Sequence, residues 1–180
     1  MIKVTAGRKT KALFLLIGIF FLVCALAYVI GIRVNTTPSI PLGFYKLTDK
    51  APEKGDYIMF CPPKRPIFDM ALQRGYIDPG FCSGQYSHIM KRVVGVAGDH
   101  VVVTTKSVSV NGHPVADSAQ MVVDLGNRPM PVYRLPDTTL ANGQFLLMGE
   151  NPISFDARYF GLISGSQING VIQPLFTWRK

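Results

Sequence analysis

Residues 107–115 read Ser-Val-Ser-Val-Asn-Gly-His-Pro-Val, two short runs with strand-forming valines on either side of Asn111-Gly112. Asparagine and glycine both tolerate a positive φ, which the tight two-residue turn of a β-hairpin requires. An Asn-Gly pair between such runs is the strongest short-range hairpin signal that a sequence offers. We therefore predict a β-hairpin over this stretch.

Short runs rich in aromatic and β-branched residues recur on both sides of the hairpin. Turn residues such as Lys54-Gly55-Asp56 and Gly98-Asp99 separate these runs. Both the composition and the bounding turns are typical of strands. We predict strands over residues 44–47, 57–60, 88–96, 100–105, 144–148 and 168–178.

The segments between these runs are irregular. Residues 61–81 contain a single predicted helical turn around residues 68–73, and residues 116–136 contain three prolines. Because proline cannot donate to a sheet ladder, we expect edge strands and a long excursion in the second segment. No helical periodicity of useful length occurs beyond the N-terminal segment. The pattern predicts a mostly β domain of the sandwich or partly closed barrel kind.

Residues 12–32 form an uncharged, apolar run of 21 residues. As a helix rising about 1.5 Å per residue, the run spans the roughly 30 Å hydrocarbon core of a bilayer. Four basic residues precede it and one follows, which predicts a cytoplasmic N-terminus. The predicted organisation is a cytoplasmic tail at 1–11, a single transmembrane anchor at 12–32, and a domain on the opposite side at 33–180.

A cleaved signal peptide is the alternative interpretation of this run. Ala25-Leu26-Ala27 resembles a small-residue cleavage site. The apolar run continues through Tyr28-Val29-Ile30, beyond the point where a signal peptide normally ends, and this favours a retained anchor.

The formal net charge of +8 comes mostly from residues beside the anchor. Beyond Arg33 the chain has fourteen basic against eleven acidic residues. The basic residues therefore indicate membrane topology, with a lipid bilayer as partner, and we predict no nucleic-acid partner.

The three cysteines divide between the anchor and the domain. Cys24 lies in the apolar run, whereas Cys61 and Cys82 lie in the part predicted to face away from the cytoplasm, where disulfides persist. We predict a Cys61–Cys82 disulfide, with two free thiols as the alternative. Neither cysteine has a second ligand at metal-binding spacing, so no metal and no cofactor are predicted.

Ser39 lies in residues 35–45, Asn-Thr-Thr-Pro-Ser-Ile-Pro-Leu-Gly-Phe-Tyr, shortly after the anchor. Pro38 and Pro41 exclude a helix interior or a central strand, so a stiff, extended or turning backbone presents the serine hydroxyl. The composition also fits a membrane-proximal linker. A nucleophilic serine requires a base. None of His88, His100 and His113 lies in a recognisable catalytic setting, and the sequence contains neither a G-x-S-x-G elbow nor an H-E-x-x-H pattern.

Lys91 is the candidate base that remains. Strand alternation places it on the same face as Ile89 and Val93, which directs it toward the core. Burial disfavours the ammonium form and lowers the pKa of a lysine by several units from its ordinary value near ~10.4. The alternative is a lysine near a strand end that extends its amine to water.

Residues 149–161 form the third polar cluster. Asp156 and Arg158 are close enough in an extended or turning segment to form a structural ion pair. Ser154 is placed to share a hydrogen bond with a buried amine.

Taken together, these segments resemble the membrane-bound type I signal peptidase family, the Ser/Lys-dyad proteases. The most specific match is Lys91-Arg92-Val93-Val94-Gly95 followed three residues later by Gly98-Asp99. A further match is Gly149-Glu150-Asn151, at the start of the third polar cluster. In the housekeeping enzymes methionine follows the serine. Here residues 39–45, Ser-Ile-Pro-Leu-Gly-Phe-Tyr, are instead similar to the conjugative-transfer branch, the TraF-type peptidases.

The resemblance implies a signal-peptidase-like β fold and a serine endopeptidase without a cofactor. It implies Ser39 as the nucleophile, Lys91 as the general base, and the Ser39 backbone N–H and the Thr37 side chain as oxyanion donors. Ser154 would orient the Lys91 amine. Asp156 and Arg158 would stabilise the part of the β domain behind the Lys91 amine.

The branch matures the pilin subunit of a mating apparatus, and some members join the pilin ends into a circle. The resemblance thus implies a single-pass protein of the cytoplasmic (inner) membrane, with its catalytic domain in the periplasm and a membrane-tethered pilin precursor as substrate. One alternative is a general signal peptidase acting on exported proteins that carry signal peptides. Another is a non-enzymatic, anchored β domain within a secretion or mating apparatus.

Overall fold

The computed structural model describes residues 7–178. Residues 1–6, part of the predicted cytoplasmic tail, and residues 179–180 lie outside the described residues. Helix α1 runs from Arg8 to Val29. Within residues 7–178, its segment Lys9–Val29 is the one helix long and apolar enough to cross a membrane, with a mean hydropathy of 2.8 and no part of it buried. This exposed apolar helix is compatible with a membrane anchor.

The helix ends earlier than the predicted boundary at residue 32. Gly31 adopts a φ of +88°, a left-handed conformation that stops the helix at little cost for glycine. Ile32 already begins strand β1, Ile32–Asn35. The Leu47 N–H donates to the Gly31 carbonyl at 2.8 Å, so the end of the helix is hydrogen-bonded to the sheet.

The described residues beyond α1 form two antiparallel sheets, two short α-helices, α2 (Pro66–Gln73) and α3 (Ala157–Phe160), and a 3-10 helix, Gly165–Gln167. The strands are β1 (Ile32–Asn35), β2 (Gly43–Thr48), β3 (Tyr57–Phe60), β4 (Ile89–Gly95), β5 (His100–Val103), β6 (Val108–Val110), β7 (His113–Pro114), β8 (Leu135–Thr139), β9 (Gln144–Met148), β10 (Ile163–Ser164) and β11 (Ile168–Thr177). The larger sheet has the order β1-β2-β11-β3-β4-β9-β10, and the smaller sheet has the order β7-β6-β5-β8. The predicted mostly β class with one N-terminal helix is confirmed.

The predicted hairpin is confirmed in its register. Val110 pairs with His113, which leaves Asn111-Gly112 as the two-residue turn. Both turn residues have a positive φ, 52° and 78°. Strands β2 to β5, β9 and β11 also form where the composition predicts them, and the register of β11 shifts between Pro174 and Phe176.

The prediction for residues 116–136 is only partly right. The one strand that begins there is β8, which lies at the edge of the smaller sheet and contains Pro136. Elsewhere in the excursion Val123 and Pro129 form an isolated antiparallel bridge, and other parts are held by single polar contacts. For example, the Gln120 side chain donates to the Tyr133 carbonyl, and the Ser118 hydroxyl donates to the Val115 carbonyl at 2.6 Å.

Three short elements, β1, β10 and α3, were not predicted. Each has at most four residues, too few for a periodic pattern. The predicted helical turn around 68–73 is longer than expected, because Pro66 occupies the first helical position, which suits its fixed φ.

Cys61 and Cys82 form the predicted disulfide, with their Cα atoms 5.4 Å apart. The bond closes the loop that contains α2, and on the chain-entropy model such a closure stabilises the folded state by about 3 kcal/mol. His88 lies beside the bridge, with its ring nitrogen and both sulfurs within 4.8 Å of one another. Because the sulfurs are bonded to each other, neither offers the thiolate that a metal ion requires.

One hydrophobic core joins α2 and α3 to residues of both sheets. Phe68 of α2 and Phe160 of α3 have ring centroids 5.2 Å apart, and the Phe155 ring lies 5.5 Å from that of Phe160. Aromatic packing at these distances fixes the backbone around Phe155. It therefore also fixes the position of the neighbouring Ser154.

Candidate active site

Ser39 lies in the loop of the β1–β2 hairpin, residues 36–42. Pro38 and Pro41 stand on either side of it, and the backbone turns at Pro38-Ser39 as the sequence predicts. The Ser39 carbonyl accepts a hydrogen bond of 2.7 Å from the Glu150 N–H, which ties this loop to the segment after β9. Ser39 itself is half-buried.

Asn35 holds the serine loop from inside. Its amide nitrogen donates to the carbonyls of Thr37, Ile40 and Pro41 at 2.8, 3.0 and 3.0 Å, on both sides of Ser39. Its side-chain oxygen accepts from the Thr37 N–H at 3.2 Å and from the Thr37 hydroxyl at 3.1 Å. The Asn35 side chain is buried, so these bonds form without competition from water.

Lys91 lies in β4 and points into the core. Its exposed fraction is 2%, and its neighbours on the same face, Ile89 and Val93, are buried as well. The prediction of a buried lysine is confirmed, and the alternative with the amine in water is wrong. Arg92, on the opposite face, is exposed.

Ser154 lies between Lys91 and Ser39. The Lys91 Nζ donates to the Ser154 Oγ at 2.9 Å, and the Ser154 hydroxyl donates to the Ser39 Oγ at 3.1 Å. The three side chains thus form one hydrogen-bonded chain from the buried amine to the hydroxyl in the loop. Residues 115 positions apart in the sequence meet here.

Gly149 makes room for Ser154. A Cβ atom on Gly149 would lie 2.2 Å from the Ser154 Oγ and 3.1 Å from the Ser39 carbonyl oxygen. Because real Cβ atoms do not approach other atoms so closely, any other residue here displaces Ser154.

Burial sets the protonation of Lys91. Loss of hydration lowers the pKa of the Lys91 amine from its ordinary value to about 8, with Asp156 opposing the shift and Arg158 adding to it. At neutral pH an appreciable fraction of the amine is therefore uncharged and able to accept a proton.

Asp156 and Arg158 form the predicted structural ion pair. Two parallel bonds of 2.8 Å join the guanidinium to the carboxylate, and neither side chain has any exposed surface. The guanidinium also donates to the carbonyls of Pro152 and Ser154 at 2.7 and 3.0 Å. The carboxylate accepts from the Gly149 N–H at 2.9 Å. The pair therefore fixes both ends of the segment that carries Ser154.

Thr37 lies near Ser39, but its hydroxyl is directed to Asn35. The resemblance implies that this hydroxyl points into the space above Ser39 as an oxyanion donor. In the structure it donates to the Asn35 side-chain oxygen instead. Within residues 7–178 the Ser39 N–H donates to no protein acceptor, so it is available to bind an anion.

Two cavities meet at Ser39. The first, of about 380 Å³, is lined by Ser39 and Ser154 together with residues of the excursion between β7 and β8. The second, of about 310 Å³, runs between residues 34–37 and residues 87–91 and contains Lys91 in its wall. A substrate that occupies both cavities passes directly over the Ser39 hydroxyl.

Asn35, Gly149 and Glu150 were not predicted to contact the serine loop, although Gly149 and Glu150 belong to the motif that carries the resemblance. Asn35 carried a signal, because asparagine side chains commonly hydrogen-bond the backbone of a following turn. The contacts of Gly149 and Glu150 with the serine loop join distant segments, and no local pattern indicates them.

The model of the family described as "Signal peptidase, peptidase S26" matches residues 7–178. The chain belongs to this family. It is 44% identical to a "Plasmid transfer protein TraF" of Escherichia coli over 172 residues, which cover 95% of this chain and 97% of that protein. It is 47% identical to a second Escherichia coli protein with the same description over 158 residues, 87% of this chain and 89% of that one.

A more distant relative has a different description. "Signal peptidase I V" of Bacillus subtilis (strain 168) is 33% identical over 113 residues, 58% of this chain and 62% of that protein. Membership in the family makes the protein a serine peptidase of the signal peptidase type. It also implies substrates that carry signal or leader peptides.

We expect Asn35→Ala to loosen the serine loop of this signal peptidase. The change leaves buried carbonyls without their donor, which costs about 1–3 kcal/mol in the free energy of unfolding. Chemical denaturation of the detergent-solubilised protein measures this loss, and peptide cleavage should fall with it. Asn169→Ala is the control, because Asn169 is exposed on β11. Equal stability and activity of the Asn35 and Asn169 variants would contradict the role of Asn35.

Proposed function

We propose that this protein is a Ser/Lys-dyad peptidase that matures a membrane-tethered pilin precursor in conjugation. Ser39 is the nucleophile and Lys91 is the general base. The observation that carries this proposal is the hydrogen-bonded chain from the buried Lys91 amine through Ser154 to the Ser39 hydroxyl.

In the acylation step the Ser39 Oγ attacks the scissile carbonyl carbon while neutral Lys91 accepts the hydroxyl proton. Ser154 relays this proton: it gives its own hydroxyl proton to Lys91 and takes that of Ser39, so both hydrogen bonds reverse from the direction seen in the structure. The tetrahedral intermediate then expels the leaving amine, which takes the proton from Lys91, and an ester to Ser39 remains. In the second step a nucleophile attacks the ester and gives its proton to Lys91. The second tetrahedral intermediate expels the Ser39 oxygen, which takes this proton from Lys91, so both the serine hydroxyl and the neutral amine are restored. A general base of this kind contributes on the order of 10²–10⁴ to the rate.

The developing oxyanion is bound by the Ser39 backbone N–H. Thr37 provides a second donor if its hydroxyl turns from the Asn35 oxygen to the intermediate, a rotation about one side-chain bond. Asn35 keeps the Thr37 backbone in place during this rotation through its bonds to the Thr37 N–H and carbonyl. One such donor typically contributes about 10²–10³ to kcat.

The smaller cavity accepts the acyl side of the substrate as an added strand. Strand β1 pairs only with β2, so its other edge is unpaired among the described residues. Strand β4 pairs with β3 along residues 89–92 but with β9 only from Arg92 onward. An extended peptide between these two edges satisfies backbone groups on both sides.

The role in conjugation rests on the relatives. The proteins described as plasmid transfer proteins match almost the whole chain at 44% and 47% identity, whereas "Signal peptidase I V" matches 58% of it at 33%. The higher identity and the wider coverage of the transfer proteins favour a dedicated transfer peptidase over a general signal peptidase. We further propose a single-pass protein of the inner membrane with the catalytic domain in the periplasm. The anchor then confines enzyme and precursor to one surface and raises their effective concentration.

The direct test is incubation of the full-length protein in nanodiscs with the pilin precursor of the same conjugation system, read by intact mass. We expect loss of a defined peptide from the precursor. A cleaved linear product and a circular product differ by one water, so the same spectrum reports the fate of the acyl-enzyme. An unchanged precursor, together with cleavage of many unrelated exported proteins, would identify a general signal peptidase instead.

We expect Ser39→Ala and Lys91→Ala to abolish processing of this precursor while the domain remains folded. Lys91→Arg should be equally inactive, because arginine does not deprotonate and so cannot act as a base. Product formation is measured at matched protein levels, with thermal unfolding as the check on folding. Lys106→Arg is the matched control on the exposed surface. Processing by the Lys91→Arg variant would show that Lys91 is structural.

We expect kcat/KM to rise with pH up to and through about 8, the pKa of Lys91. The neutral amine is the active form, so the rate increases by about tenfold per pH unit below the pKa and levels off above it. A fluorogenic peptide without titrating groups near the scissile bond provides the measurement. A profile that is flat between about pH 6 and 9 would contradict a lysine base.

A further inference from the structure

The larger cavity beside Ser39 contains a compact group of charged side chains that the dyad mechanism does not use. Arg74 follows α2, and Asp124 and Arg128 lie on the excursion between β7 and β8. The three residues line the same space of about 380 Å³ as Ser39 and Ser154.

The Asp124 carboxylate is already saturated by its neighbours. It accepts hydrogen bonds from the backbone N–H groups of Gly126 and Arg128 at 2.9 and 2.8 Å, from the Arg128 Nε at 2.7 Å, and from the Tyr76 hydroxyl. The cavity wall contains two guanidinium groups and one carboxylate, so it carries one net positive charge.

The guanidinium groups retain donors for a further partner. The Arg74 Nη1 donates to the Pro129 carbonyl at 2.9 Å, and the Arg128 Nη2 lies 3.4 Å from the Arg74 carbonyl. Within residues 7–178 the Arg74 Nη2 and the Arg128 Nη1 donate no hydrogen bond. Arg74 is half-buried and held by the Pro129 carbonyl, so its charge is fixed in the wall.

The position of Ser154 indicates which part of a substrate enters this cavity. Ser154 lines the larger cavity, whereas Lys91 lines the smaller one. In the proposed mechanism the proton that Lys91 returns passes Ser154, and this favours the larger cavity as the site of the leaving amine. The two unpaired strand edges that suit the acyl segment both border the smaller cavity.

We propose that the larger cavity binds the segment after the scissile bond and selects a segment with a carboxylate, through Arg74 and Arg128. This inference rests on the proposed function of Ser39 and Lys91 and names the substrate class of that site. The carboxylate comes from an acidic side chain or from a nearby C-terminus of the substrate. In both cases a planar carboxylate matches the paired donors of a guanidinium group.

The test uses the full-length protein in nanodiscs and a set of peptides with one acyl side and four leaving segments. One segment contains glutamine, one glutamate and one lysine, all with amidated ends, and the fourth contains glutamine with a free C-terminal carboxylate. We expect kcat/KM for the glutamate or free-carboxylate peptide to exceed that for the lysine peptide by about tenfold at low salt, and the ratio to fall at high salt. The peptide that shows the gain identifies the source of the carboxylate.

Arg74→Gln and Arg128→Gln should each reduce the ratio of kcat/KM for the carboxylate peptide to kcat/KM for the lysine peptide to about threefold or less. Arg128→Lys keeps the charge but loses the paired donors, so its ratio should lie between those of the unmodified protein and of Arg74→Gln. This variant covers the case in which Arg128→Gln fails to fold. Arg134→Gln is the matched control, because Arg134 is exposed and lies outside the cavity.

Three results would overturn the inference: equal cleavage of the acidic and lysine peptides by the unmodified protein, an unchanged ratio in both glutamine variants, or an Arg134 variant that loses the ratio equally. If all peptides are cleaved equally and cleavage still requires Ser39, the selectivity fails but the proposed Ser39–Lys91 dyad stands. If no peptide is cleaved, or if cleavage survives Ser39→Ala, the proposed function fails and the selectivity fails with it.

Discussion

One buried amine determines the chemistry of this protein. The Lys91 Nζ lies in the interior of a β-sheet, and among the described residues its side chain has one hydrogen-bond partner, the Ser154 hydroxyl. Such surroundings replace the hydration of an ammonium ion poorly, which favours the neutral form. The charges of Asp156 and Arg158 are bonded to each other and act on the pKa of the amine in opposite directions. Desolvation therefore remains the largest influence on its pKa.

The rest of the fold serves to keep a hydroxyl beside this amine. The segment with Ser154 is held by the buried Asp156–Arg158 pair and by aromatic packing around Phe155. The segment with Ser39 is held by Asn35 from within the loop and by the Glu150 N–H from outside it. Removing one partner of a buried ion pair costs several kcal/mol, so the Asp156–Arg158 pair holds the Ser154 segment rigidly.

Much of this arrangement is predictable from the sequence where the signal is local. The Asn111-Gly112 turn specifies its hairpin, and the alternation of Ile89, Lys91 and Val93 predicts the buried lysine. Contacts between distant segments leave no such pattern. The need for glycine at position 149 follows from the place of Ser154, and the orientation of the Thr37 hydroxyl follows from Asn35. The helix boundary was missed because Ile32 is as apolar as the anchor, and only its pairing with Lys46 shows it to be a strand residue.

The ionisation of Lys91 itself is the most direct test of the account. Full-length protein labelled with ¹³C at the lysine Cε is titrated in nanodiscs by NMR, and the Lys91 signal is identified by its loss in Lys91→Arg. We expect the Lys91 signal to titrate with a pKa of about 8, whereas exposed lysines titrate at about 10.4. A Lys91 signal that titrates together with the exposed lysines would contradict the account, because a permanently charged amine cannot accept the serine proton.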